Sequence, residues 1–350
     1  MRTDAFDYDL PETLVAQEPA PRRDASRLMV LRRSGGEIEE TAFARIAERF
    51  SPGDLLVLND TRVVPARLLA RKQSGGEVEI LLVARAASDP GGREWDCMVS
   101  TGRGMRPGAR LSIAAGFEAE VLGERELGRI RIRLHAEGSE IDEAIQRHGM
   151  MPVPPYVRRE AGDARARLDR ERYQTVYARE PGAIAAPTAG LHFTEELLRS
   201  LEARGVSLAF LTLHVGPGTF RPVRTERIED HRLEPEDYRL PAATAQAVAS
   251  CRARWGRVVA VGTTVTRVLE ACADGRGAVA PGGGRCGLYI MPGHRFRVVD
   301  ALLTNLHLPR SSLLVLVAAF AGRERILAAY REAVARGFRF YSYGDAMLIL

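Results

Sequence analysis

Apolar positions along the chain recur with two different periods, and the change between them divides it. The first sixty residues close on LLVLND, a continuous apolar run bounded by Pro52-Gly53 before it and Asn59-Asp60 after it. That is the pattern of a strand buried on both faces which stops at Asn59. From Arg62 to about Leu134 the chain breaks into short runs, RVVPARLLA, GEVEILLVA, EWDCMVST, ARLSIA, FEAEVLG and GRIRIRL, split by Gly and charged turns. Regular short strands with little helix predict a small barrel or curled sheet inserted into the chain.

Ile141 to His148 predicts a short helix, and the Pro-rich MPVPPYVRRE after it reads as a linker. Strands and helices then alternate. Thr194 caps a predicted helix of Glu195 to Arg204, with acidic residues in its first turn and Gly205 past its end. VSLAFLTLHVG reads as a strand, Ala243 to Arg254 as a helix, RVVAVG as a strand and TTVTRVLEACA as a helix; a strand, a helix and a strand run from Phe296 to the end. Alternation of this kind predicts an α/β sheet covered by helices, which the strand ending at Asn59 joins, so that the large domain is discontinuous.

Length and composition agree with a folded protein of about two domains: 350 residues, 45% hydrophobic and 27% charged. The longest apolar run, Leu313 to Ala321, is short of the roughly 20 residues a membrane span needs. The opening MRTDAFDYDLPETL is acidic where a secretory leader is basic and then apolar, so a cytoplasmic protein without a membrane partner is expected. Cys97, Cys251, Cys272 and Cys286 are scattered and read as free thiols. The net charge of +5 is compatible with a polyanionic partner without requiring one. Its make-up is more telling. Of 50 Lys and Arg residues only Lys72 is a lysine, and only Asn59 and Asn305 are asparagines. Both types use A-rich codons, so a GC-rich genome accounts for the bias. The two asparagines that persist against it are then expected to have a task.

Candidate chemistry collects where predicted strands end, the usual ligand position in open α/β sheets. In NDTRVVPAR, Asp60 suits acid or base work and Arg62 an anion or carboxylate, with an Asx turn and a surface arginine as the plainer reading. APTAGLHFT brings Thr188, Gly190 and His192 to a helix start. LHVGPGTFRPV places His214 at a strand end before the tight turn Gly216-Pro217-Gly218, and AVGTTVTRVLE puts Thr263 and Thr264 at a helix start. TNLHLPRSSLL offers Asn305 and His307. Gly282 to Gly287 fits GxGxxG by letter but leads into the strand-like LYIM rather than a helix, and is discounted. No GxSxG elbow, HExxH pair or Cys-rich pattern occurs, which leaves a site without a metal, built of His, Asp, Thr, Asn and Arg and suited to acid-base chemistry on a polar ligand.

Taken in order, FDYDLPETLVAQEP with SRLMVL, PGDLLVLNDTRVVPARL, MPVPPY, YQTVYAREPGAIAAPTAGLHFT, TLHVGPGTFRPV, EDH, VVAVGTTVTRVLE, VVDALLTNLHLPRSSLLVLVAAFAG and FYSYGDAMLIL span nearly the whole chain. In these segments it closely resembles the S-adenosylmethionine:tRNA ribosyltransferase-isomerase family of queuosine biosynthesis. The resemblance implies a discontinuous α/β domain, residues 1–61 and 151–350, with a small antiparallel β-barrel inserted at residues 62–150. It implies transfer of the ribosyl moiety of S-adenosylmethionine, used as a donor substrate and without a metal, to 7-aminomethyl-7-deazaguanine at the wobble position of a tRNA. Adenine and methionine leave, and epoxyqueuosine-tRNA forms. A monomer is expected.

Carried onto this chain, the chemistry selects Asp60, His192 and His214 as proton-transfer candidates. Asn59, Arg62, Thr188, Gly190, Gly216, Gly218, Thr219, Thr263, Thr264, Asn305, His307, Tyr343 and Asp345 form the binding set. Val265, Leu306 and Ala318 stand where family members often carry Ser, Phe and Ser. Arginines in RPGAR, GRIRIRL, VRRE and DARARLDRER are candidates for phosphate contact, each run also readable as a solvated face. Two rival readings are an S-adenosylmethionine-dependent RNA methyltransferase and a non-catalytic RNA-binding protein. Against them stand the absence of a Gly-rich loop after the first strand and the number of His, Thr and Asn residues at strand ends.

Overall fold

A computed structural model describes the whole chain except residues 36, 87, 90, 102–103, 125–127, 139, 161 and 221 and the side chains of 219 and 220. Along the chain run β1 (Arg27–Leu31), β2 (Ile38–Ala42), β3 (Leu55–Asn59), β4 (Thr61–Val63), β5 (Arg67–Lys72), β6 (Glu77–Arg85), β7 (Glu94–Val99), β8 (Arg110–Ala114), β9 (Phe117–Val121), β10 (Ile130–Ala136), α1 (Ile141–His148) and α2 (Ala166–Arg172). There follow β11 (Glu180–Ala183), α3 (Glu195–Ala203), β12 (Ser207–Leu213), β13 (Glu236–Leu240), α4 (Ala242–Ala253), β14 (Val258–Val261), α5 (Thr263–Ala271), β15 (Gly282–Cys286), β16 (Ala301–Asn305), α6 (Ser312–Ala321), α7 (Arg323–Ala335) and β17 (Ala346–Ile349). Two compact units result, one of residues 1–62, 154–158 and 172–350, the other of residues 63–153 and 159–171.

The larger unit is built on a nine-stranded sheet in the order β15-β13-β12-β3-β14-β16-β17-β1-β2. Its centre, β12, β3, β14 and β16, is parallel. In the central strand β3, Leu55 and Val57 join one hydrophobic cluster and Leu56 and Leu58 the other. The same alternation in β14 sends Val258 and Ala260 to one face, Val259 and Val261 to the other. Both faces are therefore buried, which is why these strands read as continuous apolar runs. Each Leu and Val among them contributes roughly 1.5–3 kcal/mol by leaving water. The strand ending at Asn59 does join this sheet, so the α/β unit is discontinuous in sequence.

The second unit contains a closed barrel, β10-β7-β6-β5-β8-β9, with antiparallel neighbours throughout. Alternating burial along β7 and β9 fills it from one face of each strand. The arginine-rich run after it is partly internal: α2 forms there, and Arg159 makes two hydrogen bonds to a buried Asp169 at 2.6 and 3.0 Å. Arg131 and Arg133 of GRIRIRL pair across the strands with Asp96 and Glu94.

Two sequence expectations are corrected. Gly282–Cys286 is itself an edge strand, antiparallel to β13, and the LYIM run after it is not a strand. Edge pairing needs only backbone groups and an open flank, and neither leaves a mark in side-chain periodicity. The single helix expected before the last strand is two, α6 and α7, divided at Gly322, whose φ of +91° no α-helix accommodates. Among the described residues no helix is long and apolar enough to cross a membrane.

Candidate active site

Because β12, β3, β14 and β16 run parallel, their carboxyl ends meet at one edge of the sheet. His214, Asn59-Asp60, Gly262-Thr263-Thr264 and Asn305 follow or close those four strands. β17 runs the other way and starts at this edge, with Asn305 paired to Ala346, so Tyr343 and Asp345 arrive there too. The same register brings in Ser26, just before β1. The 3-10 turn Thr188–His192 bonds to this edge through Thr188 and His192. Segments scattered from residue 26 to residue 345 are thus gathered by strand direction and by the bonds of this turn to Asn305.

Two groups at the edge have the properties of proton-transfer residues. Asp60 is buried, its Oδ1 accepts from the Thr212 hydroxyl at 2.7 Å, and no described residue donates to Oδ2. Burial pushes its carboxyl above the ordinary range, against the Thr212 hydrogen bond. His214 lies over Gly182, where a Cβ would meet the imidazole at 2.8 Å. Thr61 Oγ1 and His214 Nδ1 share a hydrogen bond of 2.8 Å, which leaves Nε2 without a partner among the described residues. Burial lowers His214 despite nearby Asp237, Glu180 and Asp60. A carboxyl raised and an imidazole lowered stand closer in proton affinity than either would in water.

His192 belongs to a different network. Asn305 Nδ2 donates to its Nε2 at 3.3 Å, which leaves the proton on Nδ1 to bond Ser26 Oγ at 2.7 Å. The ring lies on Phe43, centroids 4.9 Å apart, and burial drives it down to about 3. With both nitrogens engaged and the ring neutral, His192 acts as a strut, and the three proton-transfer candidates do not form one cluster. Asn305 extends the network: its Oδ1 accepts from Thr188 at 2.8 Å and its Nδ2 also donates to the Tyr341 carbonyl at 3.1 Å.

This network separates two small clefts that share Ser342. One, of about 340 Å³, is lined by Tyr156, Thr188, Asn305, His307, Ser311 and Tyr341, among others. The other, of about 260 Å³, is lined by residues including Arg23, Ser26, His192 and Tyr343. Tyr156 and Tyr341 stack with centroids 4.1 Å apart, and Tyr156 Oη bonds Ser342 Oγ at 2.6 Å. Tyr341 is held at φ +74°, a conformation an aromatic residue rarely adopts and which clusters at functional sites. Sequence reasoning missed Tyr156, Tyr341, Ser342, Arg23 and Ser26. MPVPPY and YSYGDAM were visible motifs, but neither the stack nor the left-handed backbone has a sequence signal at a tyrosine.

Several of the expected binding residues are occupied by the fold. Asn59 uses its whole amide: Nδ2 donates to the Leu213 carbonyl at 2.9 Å and to Thr264 Oγ1 at 3.4 Å, and Oδ1 accepts from Leu213 N at 3.0 Å and Thr61 N at 3.2 Å. It is a clamp between β3 and β12. Asp345 accepts the backbone N–H groups of Arg27 and Arg339 at 2.9 and 2.8 Å. Gly216 N–H donates to Glu236 at 2.8 Å, and Glu236 forms a buried ion pair with Arg267 at 2.6 Å. His307 bonds Thr304 at 2.6 Å and is lowered by burial to about 3 while lining the larger cleft. Around Gly218 there is no close approach, the nearest atom to a built Cβ lying 3.9 Å away. Thr219's side chain lies outside the described residues.

Arg62 is exposed and bonds the Ala178 carbonyl at 3.2 Å. Thr263 and Thr264 open α5 behind Gly262, at φ +95°, and no side chain caps this helix start. The departure at Val265 is internal: Val265 is fully buried, and the Thr266 hydroxyl bonds back to the Gly262 carbonyl at 3.1 Å. Leu306 and Ala318 are core residues. Among the described residues no group of three or more His, Cys, Asp or Glu side chains is placed to hold a metal ion.

An open α/β sheet that carries a raised carboxyl, a lowered imidazole and an uncapped helix start at its carboxyl edge has the arrangement found in α/β enzymes that act on polar ligands. Within that class the chain belongs to the queuosine biosynthesis protein family, whose model matches residues 3–349. The S-adenosylmethionine:tRNA ribosyltransferase-isomerase of Geobacter metallireducens is 53% identical over 349 residues, covering 100% of both chains. The enzyme of the same name from Anaeromyxobacter dehalogenans is 55% identical over 350 residues, 100% of this chain and 99% of that one. The crystal structure of S-adenosylmethionine tRNA ribosyltransferase from Thermotoga maritima is 40% identical, covers 99% of this chain and 100% of that chain, and superposes with a TM-score of 0.56.

Proposed function

We infer that the chain is a transferase-isomerase that moves the ribosyl moiety of S-adenosylmethionine to 7-aminomethyl-7-deazaguanine at the wobble position of tRNA, giving epoxyqueuosine-tRNA, adenine and methionine. The observation that carries this reading is full-length similarity, at 53% identity, to enzymes named for that activity. The sulfonium of S-adenosylmethionine acidifies the adjacent ribosyl carbon, and the same molecule donates the ribosyl group as adenine and methionine leave. What remains for the protein is to move protons and hold polar groups. His214, lowered by burial and with Nε2 unpartnered among the described residues, takes a proton. Asp60, raised by burial, gives one to the departing base. Thr188, Asn305 and His307, beside the Tyr156–Tyr341 stack, offer a flat apolar wall with polar rims for a planar base. The open N-terminus of α5 at Thr263 and Thr264 and the exposed Arg62 are suited to a carboxylate or phosphate.

The test is a reaction with S-adenosylmethionine and tRNA carrying 7-aminomethyl-7-deazaguanine, read by mass spectrometry of nucleosides and small products. Adenine, methionine and an epoxide-bearing nucleoside are expected. Accumulation of S-adenosylhomocysteine without adenine would assign a methyltransferase instead. Asp60→Asn and His214→Asn should each abolish turnover, whereas an unchanged rate in both would remove the proton-transfer assignment.

A further inference from the structure

Gly190 occupies a position with no room for a side chain. A Cβ there would lie 1.9 Å from Tyr177 Oη and 3.0 Å from Thr175 Cγ2. The glycine therefore makes space for a phenol hydroxyl, and that hydroxyl is buried with no hydrogen-bond partner, as is the Thr175 hydroxyl. A buried hydroxyl left unpaired costs stability, and phenylalanine would fill the same volume without that cost. Groups of this kind in a folded protein call for a role outside folding.

The surroundings point to the role. The Thr175–Glu180 segment hangs from Asp60: the N–H groups of Arg179 and Glu180 both donate to the Asp60 carbonyl, at 2.7 and 3.2 Å, and a turn from Ala178 N–H to the Thr175 carbonyl shapes the segment. The Tyr177 ring rests on Phe210 of β12, centroids 5.8 Å apart, two residues before the Thr212 that bonds Asp60 Oδ1. Among the described residues Oδ2 has no donor and Tyr177 Oη has no acceptor. Burial raises the phenol, and the negative charge of Asp60 raises it further.

We propose that Tyr177 is a positioning residue for Asp60, its hydroxyl being the donor that the carboxylate takes up as Asp60 gives its proton to the substrate. The phenol keeps its own proton; only a hydrogen bond forms. The inference rests on Asp60 acting in proton transfer. The other groups that face Asp60 are the Thr212 hydroxyl from β12, Glu180 and Arg179 at the start of β11, and His214 after β12. All of them remain in Tyr177→Phe, so that variant isolates the hydroxyl.

Tyr177→Phe and Asp60→Asn are compared with the unaltered enzyme for kcat, KM, pH profile and thermal unfolding. Tyr177→Phe should unfold at the same or a higher temperature and keep KM within about twofold, with kcat down about tenfold. The alkaline limb of its kcat profile, where Asp60 loses the proton it must give, should move to higher pH, because the carboxylate has lost a donor. Unchanged kcat with an unmoved limb overturns the proposal. So does a loss of kcat that follows a lowered unfolding temperature with no movement of the limb, the signature of a structural role. Turnover retained in Asp60→Asn overturns the reading of Asp60 together with this one; an inactive Asp60→Asn beside a wild-type-like Tyr177→Phe overturns this one alone.

Discussion

Mild acid should loosen the α/β unit, and two buried imidazoles set the size of the effect. His192 and His307 are both driven by burial to about 3, whereas in the unfolded chain each titrates near its ordinary value of about 6.5. The folded state then stays neutral as the pH falls while the unfolded state binds protons. Stability contributed by each histidine is complete above the unfolded value and is lost as the pH drops toward the folded one. Between pH 7 and pH 5 the unfolded state gains about 2 kcal/mol from each, or about 4 kcal/mol together. The result is insensitive to the folded value, since at pH 5 any folded value below about 4 leaves the ring neutral. The lowered His214 acts in the same direction. Asp60 acts against it, because a raised carboxyl contributes most below its unfolded value and loses that contribution as the pH rises through the folded one.

Urea unfolding at pH 7, 6 and 5, followed by far-ultraviolet circular dichroism, measures the loss. His307→Gln, which keeps a side chain able to bond Thr304 but cannot titrate, should lose about half of it. A stability constant to within about 1 kcal/mol between pH 7 and 5, or a full loss retained in His307→Gln, would refute the assignment of neutral buried rings.

Three further outcomes are expected. Asn59→Ala leaves the N–H and carbonyl of Leu213 unpaired in the core and should cost about 2–4 kcal/mol in urea unfolding; a cost below about 0.5 kcal/mol would show that the clamp is dispensable. Gly190→Ala should destabilise through its clash with Tyr177 Oη, and Gly190→Ala combined with Tyr177→Phe should recover part of the unfolding temperature; simple additivity of the two changes would disprove the contact. Arg267→Met strands the buried Glu236 carboxylate and should cost about 3–5 kcal/mol, most of it restored by adding Glu236→Gln; equal stabilities of the single and double variants would argue against a buried pair.

The sequence by itself determined the elements whose burial is one-dimensional. LLVLN, VVAV and ALLTN are buried on both faces, so they announce central strands; the barrel strands announce themselves by alternation, and Thr194 marks its helix by capping it. Composition bias brought forward Asn59 and Asn305, and both lie at the sheet edge, although Asn59 proved to hold two strands together. What the chain order could not carry was any fact that depends on strand direction or on partners far apart in sequence. That Asp60 and His214 keep an oxygen and a nitrogen without a partner among the described residues while His192 has none is decided by Thr212, Thr61, Ser26 and Asn305, which lie between 113 and 166 positions from the groups they bond. The left-handed Tyr341, the strand at Gly282–Cys286 and the space that Gly190 leaves for Tyr177 were equally silent. The physical reason is the same in each case. Periodicity records whether a residue leaves water, but proton affinity and hydrogen-bond vacancy depend on which atoms it meets there, and only the tertiary structure brings those atoms together.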